Sequence, residues 1–292
     1  MKIQYSFPHV IETHLVDHCN LNCKGCCHFA PLVKGEVFAD IDIFNRDMER
    51  LKQLFNDIYE IRMMGGEPLL HPGLLSFVDV ARKAFPKARI AIFTNGILLS
   101  AMDDHFWETC AGKKILIKLS YYPIDLKLDE IIQKAKKHDV RIKVPAQITH
   151  FFKHLNINGD SDPAASFRNC RLMFKTPQLR DGKLYPCFFP AYMHIFSNYF
   201  DHPATLPMDV TGDNYINIFE CDDSSEILKF MDRPIPMCRW CLTRRNFENW
   251  DLSRRDIHEW TGNEAAKLPH FFRKLNYGAI HLYHAVKRGL NQ

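Results

Sequence analysis

Short apolar, β-branched runs alternate with stretches of helical period along the first half of the chain. Residues Val10–Val16, 60–64, 89–93, 115–119 and 140–144 read as strands. Between the first two, Phe44, Met48, Leu51, Phe55 and Ile58 recur at steps of three and four. That is one face of a helix, with Asp40 or Asp42 placed to cap it. Leu74, Phe77, Ala81 and Phe85 mark a second helix after Pro72-Gly73. Leu128, Ile131 or Ile132, and Ala135 mark another, which ends in the basic run 134–138. A weaker helical pattern lies between Leu98 and Cys110. This β-α-β-α order predicts an α/β fold with a parallel sheet and helical crossovers. Five units are clear and a sixth is expected within 147–166, which fits a partial (βα)6 barrel. In such folds ligands gather at the C-terminal ends of the strands.

The texture changes near Asp160-Ser161-Asp162-Pro163. Residues 176–179 and 183–185, around Asp181-Gly182, read as a β-hairpin. The expected division is a core over 1–168, a small hairpin-bearing domain over 169–250 and a helical tail over 251–292. In the tail Leu268, Phe272, Leu275, Ala279, Leu282 and Val286 form a narrow stripe.

Composition sharpens this picture in two places. The 292 residues are 46% hydrophobic and 25% charged, ordinary globular values. No apolar run approaches the ~18 residues of a membrane span, and the N-terminus carries no signal-type segment. The expected location is the cytoplasm, where ten cysteines argue for metal ligation rather than a disulfide framework. The net charge of +4 is uneven, since 239–292 holds ten Lys/Arg against five Asp/Glu. Such a tail is either a solvated face or a dock for an acidic partner or membrane surface. No nucleic-acid motif is present, and no nucleic-acid partner is expected.

The densest chemistry is Cys19-Asn20-Leu21-Asn22-Cys23-Lys24-Gly25-Cys26, with Cys27 next, directly after the first strand. Thiolate softness favours iron–sulfur, zinc or Cu(I). Three cysteines on a four-iron cluster leave one iron open to a chelating molecule. Three could also join His18 or His28 around zinc in a closed tetrahedral site. The second strand ends Met63-Met64-Gly65-Gly66-Glu67-Pro68. Its glycines allow close approach, and Glu67 adds an anionic acceptor that suits an ammonium group. A second set, Cys170, Cys187, Cys238 and Cys241, joins a hairpin-borne pair to a Cys-x2-Cys pair and reads as a four-thiolate site.

Cys19-x3-Cys23-x2-Cys26 followed by Gly65-Gly66-Glu67-Pro68 resembles the radical S-adenosylmethionine superfamily. The resemblance implies a [4Fe-4S] cluster on Cys19, Cys23 and Cys26, with S-adenosylmethionine on the open iron. It implies that Gly65, Gly66 and Glu67 hold the cofactor's amino group, that Asn95 in Thr94-Asn95-Gly96 contacts the cofactor, and that Ser120 meets its ribose. Gly25 departs from the pattern, which has an aromatic residue there. The segment Cys170 to Cys187 resembles the twitch/SPASM-type extension, which implies a second, fully ligated [4Fe-4S] cluster on Cys170, Cys187, Cys238 and Cys241. The implied chemistry is reductive cleavage of the cofactor and hydrogen abstraction from a substrate carbon, with flavodoxin or ferredoxin as electron donor. The pattern, including Pro234-Ile235-Pro236-Met237-Cys238, resembles members associated with polysaccharide genes. The expected substrate is therefore a sugar or sugar-lipid, changed by dehydrogenation or epimerisation. A peptide ranks second, because the first strand starts near Val10 and leaves no room for a leader-binding domain. A cluster-bearing scaffold without turnover ranks third. If a stereocentre is inverted, Cys27 and Cys221 are the candidate hydrogen donors.

Overall fold

The computed structural model describes residues 10–171, 176–201 and 212–262. The described residues form one compact unit, and the expected tail helix at 268–286 lies outside the described residues. Five strands come in βα order: β1 (Val10–Val16), β2 (Glu60–Gly65), β3 (Arg89–Thr94), β4 (Leu116–Leu119) and β5 (Arg141–Lys143). The helices between them are α1 (Ile41–Leu54), α2 (Leu74–Ala84), α3 (Asp104–Gly112) and α4 (Leu128–Lys137). Asp40 caps α1, its Oδ1 accepting from the N–H groups of Asp42 (2.8 Å) and Ile43 (3.1 Å). Among the described residues no helix is long and apolar enough to cross a membrane.

The five strands pair in parallel in the order β5-β4-β3-β2-β1. Side chains alternate between two unlike faces. Ile11, Ile61, Met63, Ile90, Ile92 and Ile117 are buried in one apolar cluster with Phe44 and Met48 of α1 and Phe77 and Val78 of α2. The intervening residues carry charge. Glu60 accepts from Arg62 Nε (2.5 Å), Lys118 Nζ (2.8 Å) and Arg89, and Arg62 reaches Glu12 at 2.6 Å. This ladder starts at the first residues of β2 and β3, the end of the sheet opposite the cysteines, and therefore serves stability.

The sixth strand departs from expectation. Region 147–166 yields β6 (His150–Asn156), which joins a separate three-stranded sheet with β10 (Cys241–Asn249) and β11 (Thr261–Gly262), order β10-β6-β11. The segment His150-Phe151-Phe152-Lys153-His154 has no period-2 apolar face to lay on helices, so it does not continue the core sheet. The core sheet grows on its other side instead. The hairpin β7 (Gln178–Arg180) and β8 (Lys183–Tyr185) adds β7 parallel to β1, followed by β9 (Ile216–Asn217). Asp181 (φ 50°) and Gly182 (φ 75°) make the two-residue turn with positive φ that matches strand twist. The Gly182 N–H donates to Asp47 Oδ2 of α1 at 2.6 Å. The residues after Arg168 thus extend the core sheet through this hairpin. The remaining helices are α5 (Pro163–Arg171), which packs on β10, α6 (Phe188–Phe200), which packs on the hairpin, and α7 (Ser224–Met231).

Candidate metal and cofactor site

The cysteine loop leaves β1 through a bulge, where the β1–β2 register shifts between His14 and Val16. The Gly66 N–H donates to the Val16 carbonyl (2.8 Å), and the Glu67 N–H to that of His18 (3.1 Å). The end of β2 is therefore laced to the root of the loop. A Cβ on Gly65 would stand 2.1 Å from the Val16 oxygen, and one on Gly66 1.9 Å from the His18 oxygen. The chain's own backbone thus demands both glycines.

Glu67 is wholly buried. It accepts from Leu69 N–H (3.1 Å), the Thr94 hydroxyl (2.6 Å) and Asn95 N–H (2.8 Å). Burial pushes its carboxyl up to about 7 against the pull of these three donors. The carboxylate draws the end of β3 onto the end of β2. Asn95 is held so that its Nδ2 donates to Asn20 Oδ1 (2.8 Å) and stands 3.7 Å from Cys19 Sγ. The Ser120 N–H donates to the Thr94 carbonyl (2.7 Å), which brings the end of β4 to the same edge. Four strand ends thus line one rim with the thiols.

The thiols are crowded, with Cys23 buried and Cys19, Cys26 and Cys27 half-buried. Burial first, then the charges of Cys26 and Glu67, push Cys19 up to about 12, against a hydrogen bond from Leu21 N–H to its sulfur (3.3 Å). Cys23 is raised by burial, then by Cys26. Cys26 is raised by burial, while N–H groups of His28, Ala30 and Phe29 favour its thiolate. Cys27 is raised by burial, then by Cys26 and Glu12. Among the described residues no three His, Cys, Asp or Glu side chains converge as ligands of a single ion. The ligands of a four-iron cluster need not meet at one point, because each iron takes its own thiolate.

Two aromatic residues that stand in no motif close over the loop. Tyr122 stacks on Trp250 at 5.8 Å between ring centroids, and its phenol is raised by burial and by Cys23, Cys26, Cys27 and Cys19. The segment that carries Trp250 is pinned to the cysteine loop. Lys24 N–H donates to the Asp251 carbonyl and Ser253 N–H to that of Asn22, both at 2.8 Å, and Cys23 bridges Leu252. The Trp260 indole donates to the Cys26 carbonyl at 2.8 Å. Gly25 (φ 65°) leaves no room for a side chain, since a Cβ would lie 2.9 Å from the Glu259 oxygen. The missing aromatic at position 25 therefore has a steric cause.

On the other flank of the loop a buried polar chain runs from the hairpin to His28. Arg180 holds Asp17 with two bonds (2.9 and 2.8 Å), Asp17 Oδ1 meets His14 Nδ1 at 3.0 Å, and His14 Nε2 meets His28 Nδ1 at 2.5 Å. His14 stacks on Tyr192. Burial drives His14 down to about 3, so it is neutral. With Asp17 an anion, His14 carries its proton on Nδ1 and accepts at Nε2, and His28 donates from Nδ1. A cavity of about 210 Å³ opens nearby, lined by Asp17, Phe38, Asp40, Asp47 and Arg180 among others, with no cysteine in its wall.

The second set also gathers. Cys187 caps α6, Cys238 sits in the 3-10 turn Pro236–Trp240, Cys241 opens β10, and Cys170 lies in α5. Cys187 is raised by burial, then by Cys170, Cys241 and Cys238, so the four lie within electrostatic reach of one another. Cys221 does not join either set. Its thiol donates to the Asn217 carbonyl (3.2 Å), and its charged neighbours are Glu226, Arg50, Glu220 and Asp222.

A family model described as the radical SAM superfamily matches residues 14–176. A GTP 3′,8-cyclase of Trichodesmium erythraeum is 32% identical over 101 residues, which cover 34% of this chain and 30% of that protein. Molybdenum cofactor biosynthesis protein 1 of Dictyostelium discoideum is 34% identical over 108 residues, covering 36% of this chain and 16% of that protein. The chain thus spans less than a third of the length of these curated relatives. Among solved structures, BtrN in complex with AdoMet and 2-DOIA matches with TM-score 0.45 and 18% identity, over 80% of this chain and 92% of that one. SuiB of Streptococcus suis bound to S-adenosylmethionine matches with TM-score 0.37 and 23% identity, over 47% of this chain and 34% of that one.

Proposed function

Because the chain belongs to the radical SAM superfamily, we propose that it is an enzyme that holds a [4Fe-4S] cluster on Cys19, Cys23 and Cys26 and S-adenosylmethionine on the open iron. Bound together, these groups supply reductive cleavage of the sulfonium and hydrogen abstraction from a substrate carbon. The observation that carries the reading is the rim itself, with Cys19, Cys23 and Cys26 on the loop after β1 and Asn95, held by Glu67, beside Cys19. An iron–sulfur core would take these thiolates, and the backbone N–H groups at Cys26 suit a thiolate. Asn95 is proposed to contact the cofactor and Ser120 its ribose, which their meeting on the same rim supports. Glu67 acts through the strand ends it ties and keeps one lone pair of Oε2 for the cofactor's ammonium group. Gly65 and Gly66 let that edge approach closely. Anaerobic reconstitution followed by reduction should yield four irons at this site and release 5′-deoxyadenosine, and Cys23→Ala should abolish both. Bound zinc without iron would sink the proposal. A complete cluster with no cofactor cleavage would favour a scaffold.

The substrate proposed is a sugar or sugar-lipid. The name of the curated relatives, GTP 3′,8-cyclase, puts their chemistry on a nucleotide, which favours a small polar substrate over a peptide. Dehydrogenation and epimerisation remain the proposed outcomes. The electron donor proposed is a flavodoxin or ferredoxin. For Cys170, Cys187, Cys238 and Cys241 we propose a twitch/SPASM-type second [4Fe-4S] cluster, supported by their mutual burial and repulsion. Of the two hydrogen-donor candidates, Cys27 lies in the first thiol crowd, and Cys221 is engaged with Asn217 outside it.

A further inference from the structure

Resting on the cluster reading above, we propose that the indole N–H of Trp250 is a hydrogen-bond donor to the sulfurs of the cluster at Cys23, and that residues 250–260 are the cover that aims it. Trp250 is a positioning and tuning residue in this role. It touches the cluster's ligand and not the substrate.

Three observations meet at this residue. First, Trp250 Nε1 is buried and has no hydrogen-bond partner among the described residues. An unmet buried donor costs about 1–3 kcal/mol, so such groups ordinarily have a use. Second, Trp250 stands two residues from Leu252, the bridge partner of Cys23, a diagonal position that an aromatic side chain spans, and Lys24 N–H holds the segment there through the Asp251 carbonyl. The donor is therefore left over among the described residues, beside the strand segment that bridges Cys23. Third, the backbone around it is fixed from several sides. Trp250 N–H donates to the Thr149 carbonyl (2.8 Å), Lys24 and Ser253 pair across to Asp251 and Asn22, and Tyr122 stacks on the ring. Lys24 is further tied to Glu248 at 2.9 Å. The other indole of the cover, Trp260, already spends its N–H on the Cys26 carbonyl. Trp107 also lacks a partner, but it lies in the core against Phe106 and His138. An unpaired indole alone decides nothing, and the position beside Cys23 decides here.

Hydrogen bonds to cluster sulfurs stabilise the reduced, more negative state and raise the midpoint potential. The full-length protein is reconstituted anaerobically and its first cluster titrated by electron paramagnetic resonance, beside Trp250→Phe and Phe247→Ala. Phe247, three residues earlier on β10, is 60% exposed and carries no donor. At the wild-type midpoint, Trp250→Phe should lower the ratio of reduced to oxidised cluster about threefold or more, and Phe247→Ala should leave it unchanged. An unchanged midpoint in Trp250→Phe, or an equal fall in Phe247→Ala, overturns the proposal. If Trp250→Phe fails to take up iron, the wild type labelled with indole-15N tryptophan decides. Pulsed resonance of its reduced cluster should show a coupled indole nitrogen, and its absence overturns the role. A wild-type protein that takes up no iron overturns the cluster reading itself, and this role with it.

Discussion

Glu60 is the clearest case of one side chain doing measurable electrostatic work. Burial alone would raise its carboxyl, but hydrogen bonds from Lys118 and Arg62 outweigh burial and bring it down to about 2. Its folded value lies below its ordinary value of 4.5. The stabilisation is therefore full above about pH 4.5 and is lost as pH falls toward 2, and amounts to about 3 kcal/mol. Urea unfolding between pH 5 and pH 2 should show a steeper loss for the wild type than for Glu60→Gln, and parallel curves would contradict this. At this scale much of the site was legible. Cys19, Cys23 and Cys26, with Glu67 and Asn95, stand in short motifs whose spacing is fixed by local chain geometry. Trp250 and Tyr122 were not legible, because their relation to Cys23 depends on a fold contact between distant segments. The role of Glu67 as a tie between strand ends was hidden for the same reason.

The elements of the first half could be read almost whole, because each strand alternates and each helix carries a three-and-four stripe. The turn Asp181-Gly182 could be read because few residue pairs accept positive φ at both positions. β6 could not be read in place, since its partners β10 and β11 come from the other end of the chain. The meeting of β2 with the cysteine loop gives a sharp test of element packing. Gly66→Ala puts a methyl against the backbone oxygen of His18, which cannot yield as a side chain would. It should cost several kcal/mol and the iron content of the reconstituted protein. Gly112→Ala, with open space around it and a helical position, should be neutral or slightly stabilising. Thermal melts and iron analysis of the pair check this, and equal behaviour would contradict the steric account.

At the scale of the molecule, the hairpin is an integral part of the sheet that carries the site. Arg180 on β7 grips Asp17 at the exit of β1, with Asp17 6% exposed. Arg180→Met leaves a buried carboxylate without its partner and should cost about 3–5 kcal/mol, while Asp17→Asn with Arg180→Met should recover much of that loss. A double-mutant cycle by urea unfolding measures it, and two simply additive losses would contradict the pairing. The cover over the cysteines has a consequence in time. A nascent chain emerges from its N-terminus at ~5–20 residues per second. The loop at Cys19–Cys27 therefore leaves the ribosome roughly 10–50 s before Trp250 and Trp260. For that interval the thiols stand open to whatever delivers iron and sulfide, and to oxidants as well. The segment around 250–260 then closes over a candidate metal site begun by the first strand.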